Sequence, residues 1–305
     1  MAEPSTDVYH GQTAGNLLRT YFDAVRPAFL AASILPVLTA LAYVHSVSGS
    51  LDYWLAFNSL FGIVFIHSAA NVLNDFFDSK NGTDAINEQR IYPFSGGSRF
   101  IQNGVLSEQQ VLVFGLSLLA AGICFGLFIV YATGPVILMI GIIGVLLAVF
   151  YSAPPCLSCK GLGDITIVSC FGLLPVTGIV YTQMGLITDD AIWLGLVIGC
   201  FASAILWINS IPDIHADKQV GKHTWPARLD KPAAVWMHGV WFIAGFALIL
   251  LTPLRSAGYF VWLAILPAAL ACMWLFRGRL ALAIPLTLST HALVCLALVV
   301  GFLRA

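Results

Sequence analysis

Apolar residues run along this chain in stretches of about twenty, longer than the apolar faces of soluble helices or strands. That is the length an α-helix needs to cross the ~30 Å hydrocarbon core of a bilayer. The pattern predicts nine such helices, over 22–47, 54–78, 109–130, 133–152, 164–185, 190–213, 233–252, 257–276 and 282–303. Only Tyr131-Ala132-Thr133-Gly134-Pro135 separates the third from the fourth. Residues 1–21 read as a polar cytoplasmic tail, since Met1 to Arg19 lack the apolar core of a signal peptide. Residues 22–305 read as a single all-α, polytopic membrane domain. No soluble domain is appended, and the longest polar stretches are the loops near 79–108 and 214–232.

Composition agrees. The chain is 59% hydrophobic and 10% charged over 305 residues, with mean hydropathy +0.89. A soluble domain carries about 25% charged residues. A net charge of -1 excludes the broad basic surface of a nucleic-acid binder.

The cations set an orientation. Arg19, Arg26, Lys80, Arg90, Arg99, Lys160, Lys218, Lys222, Arg228, Lys231, Arg277 and Arg279 fall on one side of the predicted topology, and only Arg255 and Arg304 on the other. Such a bias puts the N-terminus in the cytoplasm and, with an odd number of spans, the C-terminus outside. The seven cysteines are scattered. Cys156 and Cys159 form a lone C-x-x-C without a second pair of ligands, so a four-ligand zinc site is not expected there.

Against this background two acidic segments stand out. One reads Asn74-Asp75-Phe76-Phe77-Asp78 with Asp84 beyond it, and the other reads Asn209, Asp213, His215 and Asp217. They end the second and sixth predicted helices, so both face the cytoplasm. Their shared Asn-x-x-x-Asp spacing suggests two pseudo-equivalent halves with a site between them. Spacings of three and four put Asn71, Asn74, Asp75 and Asp78 on one helical strip, and Asn209, Asp213 and Asp217 on another. Ionisable groups beside a bilayer are expensive and usually functional. Hard oxygen ligands of this kind suit Mg2+, which bridges protein carboxylates to substrate phosphates. The metal set expected is Asn74, Asp75, Asp78, Asp84, Asn209, Asp213 and Asp217. The plainer alternative is a pair of solvated helix ends. The candidate phosphate partners are Arg26, Arg99, Lys160, Lys218 and Lys222, through the bidentate geometry of Arg and the point charge of Lys. Positive-inside topology alone also accounts for each of them. His67 and His291, inside helices, read as buried and hydrogen-bonded.

These segments resemble the two signature motifs of the UbiA-type intramembrane prenyltransferase superfamily. Several features are similar to its 1,4-dihydroxy-2-naphthoate branch. They include Arg26-Pro27 with Ser33 and Pro36-Val37, and the gap of six from Asp78 to Asp84. Tyr151-Ser152-Ala153-Pro154-Pro155 followed by Lys160-Gly161-Leu162-Gly163-Asp164, and Asp217-Lys218 with Gly221-Lys222 and Thr224, also match. The branch often carries Arg where Lys160 stands. The Ser95-Gly96-Gly97-Ser98-Arg99 loop is a variable part of the family; it reads either as a backbone approach to an anion or as a flexible turn.

The resemblance implies a nine-helix bundle around a central cavity open to lipid, its active site facing the cytoplasm, in a bacterial cell (inner) membrane. It implies Mg2+-dependent transfer of an isoprenoid from a polyprenyl diphosphate to an aromatic acceptor. For the naphthoate, loss of the ring carboxylate accompanies alkylation and gives a demethylmenaquinone in its reduced, quinol form. Asp78, Asp213, Asp217, Lys160 and Tyr151 are the expected catalytic residues, with Arg26, Arg99, Tyr151, Lys160, Lys218 and Lys222 binding substrate. Phe76, Phe77, Tyr151 and Trp207 are candidates for cation–π stabilisation of an allylic cation, or bundle filler. Other acceptors remain open: 4-hydroxybenzoate, homogentisate, haem, a chlorophyllide or a glycerol phosphate. A cation-coupled transporter also sets carboxylates between repeats, though near the midplane. An inactive lipid-binding scaffold is the third alternative.

Overall fold

In the computed structural model, which describes residues 3–9, 13–229 and 231–304, every regular element is a helix. A short α1 (Ala14–Ala24) precedes α2 (Ala31–Ser48), α3 (Tyr53–Lys80), the four-residue α4 (Thr83–Ile86), α5 (Glu108–Thr133) and α6 (Pro135–Phe150). Then come α7 (Gly163–Met184), α8 (Asp189–Ser210), the short α9 (Ile214–Gln219) and α10 (Trp225–Arg228), and finally α11 (Lys231–Leu251), α12 (Ala257–Phe276) and α13 (Leu280–Arg304). Among the described residues eight helices are long and apolar enough to span a bilayer. The remaining predicted span, the fourth (133–152), is α6, whose 16 residues rise about 24 Å at 1.5 Å each. It is a short member of the bundle.

Local chemistry sets the ends. Asp52 caps α3 by accepting from Trp54 N and Leu55 N, each at 2.9 Å. Ser107 and Gln110 form a capping box at the start of α5. Thr188 caps α8 through Ala191 N at 3.2 Å.

Two predicted boundaries move, and both movements build the site. The first predicted helix, 22–47, is broken at Arg26, which adopts φ 57 between α1 and the 3-10 turn Pro27–Phe29 leading into α2. Arg26 therefore sits on a bend. The sixth, 190–213, ends at Ser210, two residues before Pro212, whose missing N–H cannot continue the helical hydrogen-bond ladder. Asp213 becomes the residue before α9. The strip Asn209–Asp213–Asp217 is thus a helix end, a turn and a second short helix, not one continuous face. The tail is also more than coil: α1 is helical, Tyr9 Oη donates to Asp23 at 2.8 Å, and Glu3 pairs with Arg90 at 2.7 Å.

Helix α8 is the most enclosed span, with Leu194, Ile198, Phe201 and Trp207 fully covered. It crosses α7 closely because a Cβ on Gly172, Gly195 or Gly199 would strike the opposing backbone. At this crossing α7 takes a π turn, Ser169–Leu173. Large side chains such as Tyr131, Leu251 and Ile243 point outward, as a surface solvated by lipid requires. Between α2, α3, α5, α6, α7 and α8 lies a cavity of about 640 Å³.

Candidate active site

The cavity is apolar along most of its length and acidic at one end. That end gathers Asn74 and Asp78 from α3, Asp84 from α4, Asn209 from the end of α8, and Asp213 and Asp217 around α9. Lys222, Tyr151 and Arg26 line the same cavity. The two acidic segments, far apart in sequence, therefore face one another.

Lys222 is the link between them. Its Nζ lies 2.6 Å from Asp78 Oδ1 and 3.9 Å from Asp217 Oδ1. Asp78 also accepts from Asn74 Nδ2 and Asn81 Nδ2, both at 3.1 Å. Asn74 Nδ2 further donates to Ser152 Oγ at 2.9 Å. Across the cavity Asp213 accepts from Asn87 Nδ2 at 2.6 Å, and Asp217 from Thr224 Oγ1 at 3.1 Å.

So many carboxylates in one partly buried place resist ionisation. Burial first, and neighbouring carboxylates second, push Asp84 up to about 8 and Asp213 up to about 7. Burial raises Asp217 to about 6, against the opposing pull of Lys222. For Lys222 burial works against the charge, but Asp78 and Asp217 outweigh it and its pKa is raised.

The glycine-rich loop has a definite task. Ser98 N donates to Asp75 Oδ1 at 3.1 Å, and a Cβ on Gly97, at φ +73, would collide with the carboxylates of Asp84 and Asp75. The acceptor that this backbone approaches is the protein's own Asp75 carboxyl. Asp75, rotated about 100° from Asn74 on α3, is buried under the loop and does not line the cavity. Arg99, at φ 67, is buried beside it and donates to the Asp84 carbonyl.

Two further predicted substrate residues lie away from the cavity. Lys218 and Lys160 are exposed, and the Lys160 carbonyl accepts from Arg228 Nη2 at 2.9 Å. Cys156 and Cys159 are joined as a disulfide in the same loop. Of the four aromatic candidates only Tyr151 lines the cavity; Trp207 is enclosed and donates from Nε1 to the Ala234 carbonyl at 2.6 Å. Asn87, Ser152 and Asn81 were missed by sequence reasoning. Lone polar residues in loops carry no spacing that reveals a partner on another element.

The residues fit a divalent cation of the hard, oxygen-seeking kind. The buried Asn209 Oδ1 has no hydrogen-bond partner among the described residues, and it shares the cavity with Asp78, Asp84, Asp213 and Asp217. Among the described residues no three acidic, His or Cys side chains close into a ready-made metal cage. The carboxylate and amide oxygens themselves are of the kind that Mg2+ takes, together with waters and substrate phosphate oxygens.

A profile of the UbiA prenyltransferase family matches residues 33–283, most of the chain and both acidic segments. The chain belongs to the UbiA prenyltransferase family. The enzyme is 30% identical over 230 residues to a 1,4-dihydroxy-2-naphthoate octaprenyltransferase of Haemophilus influenzae, covering 70% of each chain. It is 28% identical over 262 residues to a protein of the same name from Mycobacterium leprae, covering 83% of this prenyltransferase and 84% of that relative. Its fold matches a UbiA homologue of Archaeoglobus fulgidus solved with DMAPP and Mg2+, at TM-score 0.67 and 14% identity, over 93% of this chain and 98% of that one. A prenyltransferase of many membrane spans is thereby shown, and the transporter and scaffold alternatives fall away.

Proposed function

We propose that this prenyltransferase transfers an isoprenoid from a polyprenyl diphosphate to 1,4-dihydroxy-2-naphthoate, with Mg2+, at the cytoplasmic face of its membrane. The observation that carries the reading is the polarity of the cavity: two opposed acidic segments and Lys222 at one end, and an apolar bore beyond. A prenyl diphosphate has the same division.

Asn74, Asp78, Asp84, Asn209, Asp213 and Asp217 are the residues that would hold Mg2+. When bound, it would neutralise diphosphate charge as the allylic C–O bond breaks. Lys222 is placed to move from Asp78 to the diphosphate, and the Arg26 guanidinium faces the same cavity. Asn74, Asn81 and Asn87 hold the carboxylates in place through the contacts described above. The electron pair of the breaking bond leaves with diphosphate. The electron-rich ring then attacks the allylic carbon, and the ring carboxylate departs as carbon dioxide. Apolar walls from α5, α6 and α7 keep water from the cation, and the Tyr151 ring in the wall offers it a π face.

The naphthoate is favoured over other acceptors by relatives of that name at 28% and 30% identity and by the branch-like motifs. The cation asymmetry supports the cytoplasmic orientation. The test is a parallel assay of the purified protein with one prenyl diphosphate, Mg2+ and a panel of acceptors. Faster alkylation of 1,4-dihydroxy-2-naphthoate than of 4-hydroxybenzoate, with stoichiometric carbon dioxide, is expected. Preference for the benzoate would remove the acceptor assignment.

A further inference from the structure

Deep in the apolar part of the cavity lies a polar pair that the diphosphate chemistry does not use. His67 of α3 and Ser33 of α2 both line the cavity, and His67 Nδ1 lies 2.8 Å from Ser33 Oγ. Both residues are buried. The imidazole is held from a second direction by Phe171, edge to face at 4.7 Å, and Phe171 is delivered by the π turn in α7. The ring is therefore fixed in orientation before any ligand arrives.

Its tautomer follows from the hydrogen bonds. Ser33 Oγ has no other side-chain or carbonyl partner among the described residues, so its proton goes to His67 Nδ1. If Nδ1 carried the proton instead, a buried hydroxyl hydrogen would be left unpaired. The proton of the neutral ring is then on Nε2. That atom has no hydrogen-bond partner among the described residues, is not among the fully enclosed orphans, and belongs to a cavity-lining residue. His67 thus presents one fixed N–H donor to the cavity.

A prenyl chain has nothing to accept that donor, and the acidic strip that would hold the diphosphate begins about two helical turns away along α3. His67 precedes Asn74 by seven residues on α3, about 10 Å at 1.5 Å per residue. The ligand that suits it is an aromatic ring seated below the diphosphate and carrying an oxygen on its far side. We propose that His67 Nε2–H donates to a ring oxygen of the acceptor remote from the alkylated carbon, that Ser33 sets the tautomer, and that the pair selects acceptors with a second hydroxyl. The proposal rests on the dihydroxy-aromatic reading of the acceptor. His67 is a binding residue here, and Ser33 a positioning residue acting through it.

The test compares steady-state kinetics of wild type, His67→Phe, His67→Gln and Ser33→Ala, each first checked for unaltered thermal unfolding and size-exclusion behaviour. Two acceptors are used: 1,4-dihydroxy-2-naphthoate and its analogue lacking the hydroxyl remote from the alkylated carbon. With the dihydroxy acceptor, His67→Phe should raise the acceptor KM at least tenfold while the donor KM stays within twofold. His67→Gln, which keeps an N–H near the Nε2 position, should recover most of that loss, and Ser33→Ala should fall between. With the analogue, all four proteins should agree within threefold. Equal losses on both acceptors, or a raised donor KM, would overturn the proposal while leaving the acceptor reading in place. A wild type that leaves the dihydroxynaphthoate untouched would overturn both.

Discussion

Lys222 Nζ and Asp78 Oδ1 are 2.6 Å apart although 144 residues separate them in sequence. The pair ties the end of α3 to the loop after α9, so that the two acidic segments share one ammonium. Both side chains are largely covered. In such a place removing one partner leaves a charge without compensation, typically costing 3–5 kcal/mol.

That gives a double-mutant prediction. Lys222→Met alone should lower the unfolding free energy of the metal-free protein by roughly 3–5 kcal/mol. Asp78→Asn in the same background should restore part of it, although each variant alone loses turnover. Additive losses in chemical unfolding would show that the contact carries no coupling.

A second prediction concerns pH. Asp84, Asp213 and Asp217 are raised to about 8, 7 and 6 in the folded protein, whereas unfolded carboxylates titrate near ~4. Between those limits the folded state holds protons that the unfolded state has released. Stability is therefore full below ~4 and falls as pH rises through about 6 to 8. On the proposed function, a bound divalent cation would take the place of those protons. The increase in Tm produced by Mg2+ should thus grow from pH 5.5 to pH 8, as differential scanning fluorimetry would read. A metal-free Tm that climbs over that range would contradict the crowding of the acids.

The glycine loop separates steric from conformational effects. Gly97 and Gly104 both have positive φ, +73 and +70, but a Cβ meets the Asp75 and Asp84 carboxylates at the first and open space at the second. Gly104→Ala should cost about 1–2 kcal/mol of stability and leave turnover near wild type. Gly97→Ala should reduce kcat/KM by more than tenfold, because the carboxylates must shift. Equal kinetic effects would detach the loop from the site.

Much of this was legible in the sequence. Lipid forces every span into a long apolar helix, so the bundle reads directly from hydropathy, and the shortness of α6 shifts the count without changing the architecture. The acidic residues were recognisable because charge is scarce in this chain. Which of them face the cavity was less so. Asn74 and Asp78 share a face at a spacing of four, but the even spacing of Asn209, Asp213 and Asp217 looked like a helix that Pro212 in fact ends. Cations in the loops between spans are equally explained by topology and by phosphate binding. Only the fold distinguishes Lys222 in the cavity from Lys160 and Lys218 on the surface.

The aromatic residues provide a further check on the site. Tyr151 faces the cavity and Trp207 is packed behind it with its indole bonded to the Ala234 carbonyl. Tyr151→Leu should lower kcat by about tenfold, the scale of a partly desolvated cation–π contact of ~1–2 kcal/mol. Trp207→Phe should destabilise the fold by about 1–2 kcal/mol with kcat near wild type. Kinetic effects in the opposite order would move the reacting carbon away from Tyr151.

The central claim is that the two opposed acidic segments act together on one diphosphate. Its most direct test is prenyl transfer as a function of Mg2+ concentration for wild type, Asp78→Asn, Asp213→Asn and, as an exposed control on the same side, Glu88→Gln. Wild type and Glu88→Gln should show the same saturable Mg2+ dependence and no turnover in EDTA. Each aspartate variant should lose roughly 10²–10³ in kcat/KM, the cost of removing one stabiliser of developing charge. Full turnover in EDTA, or wild-type activity in either aspartate variant, would contradict it.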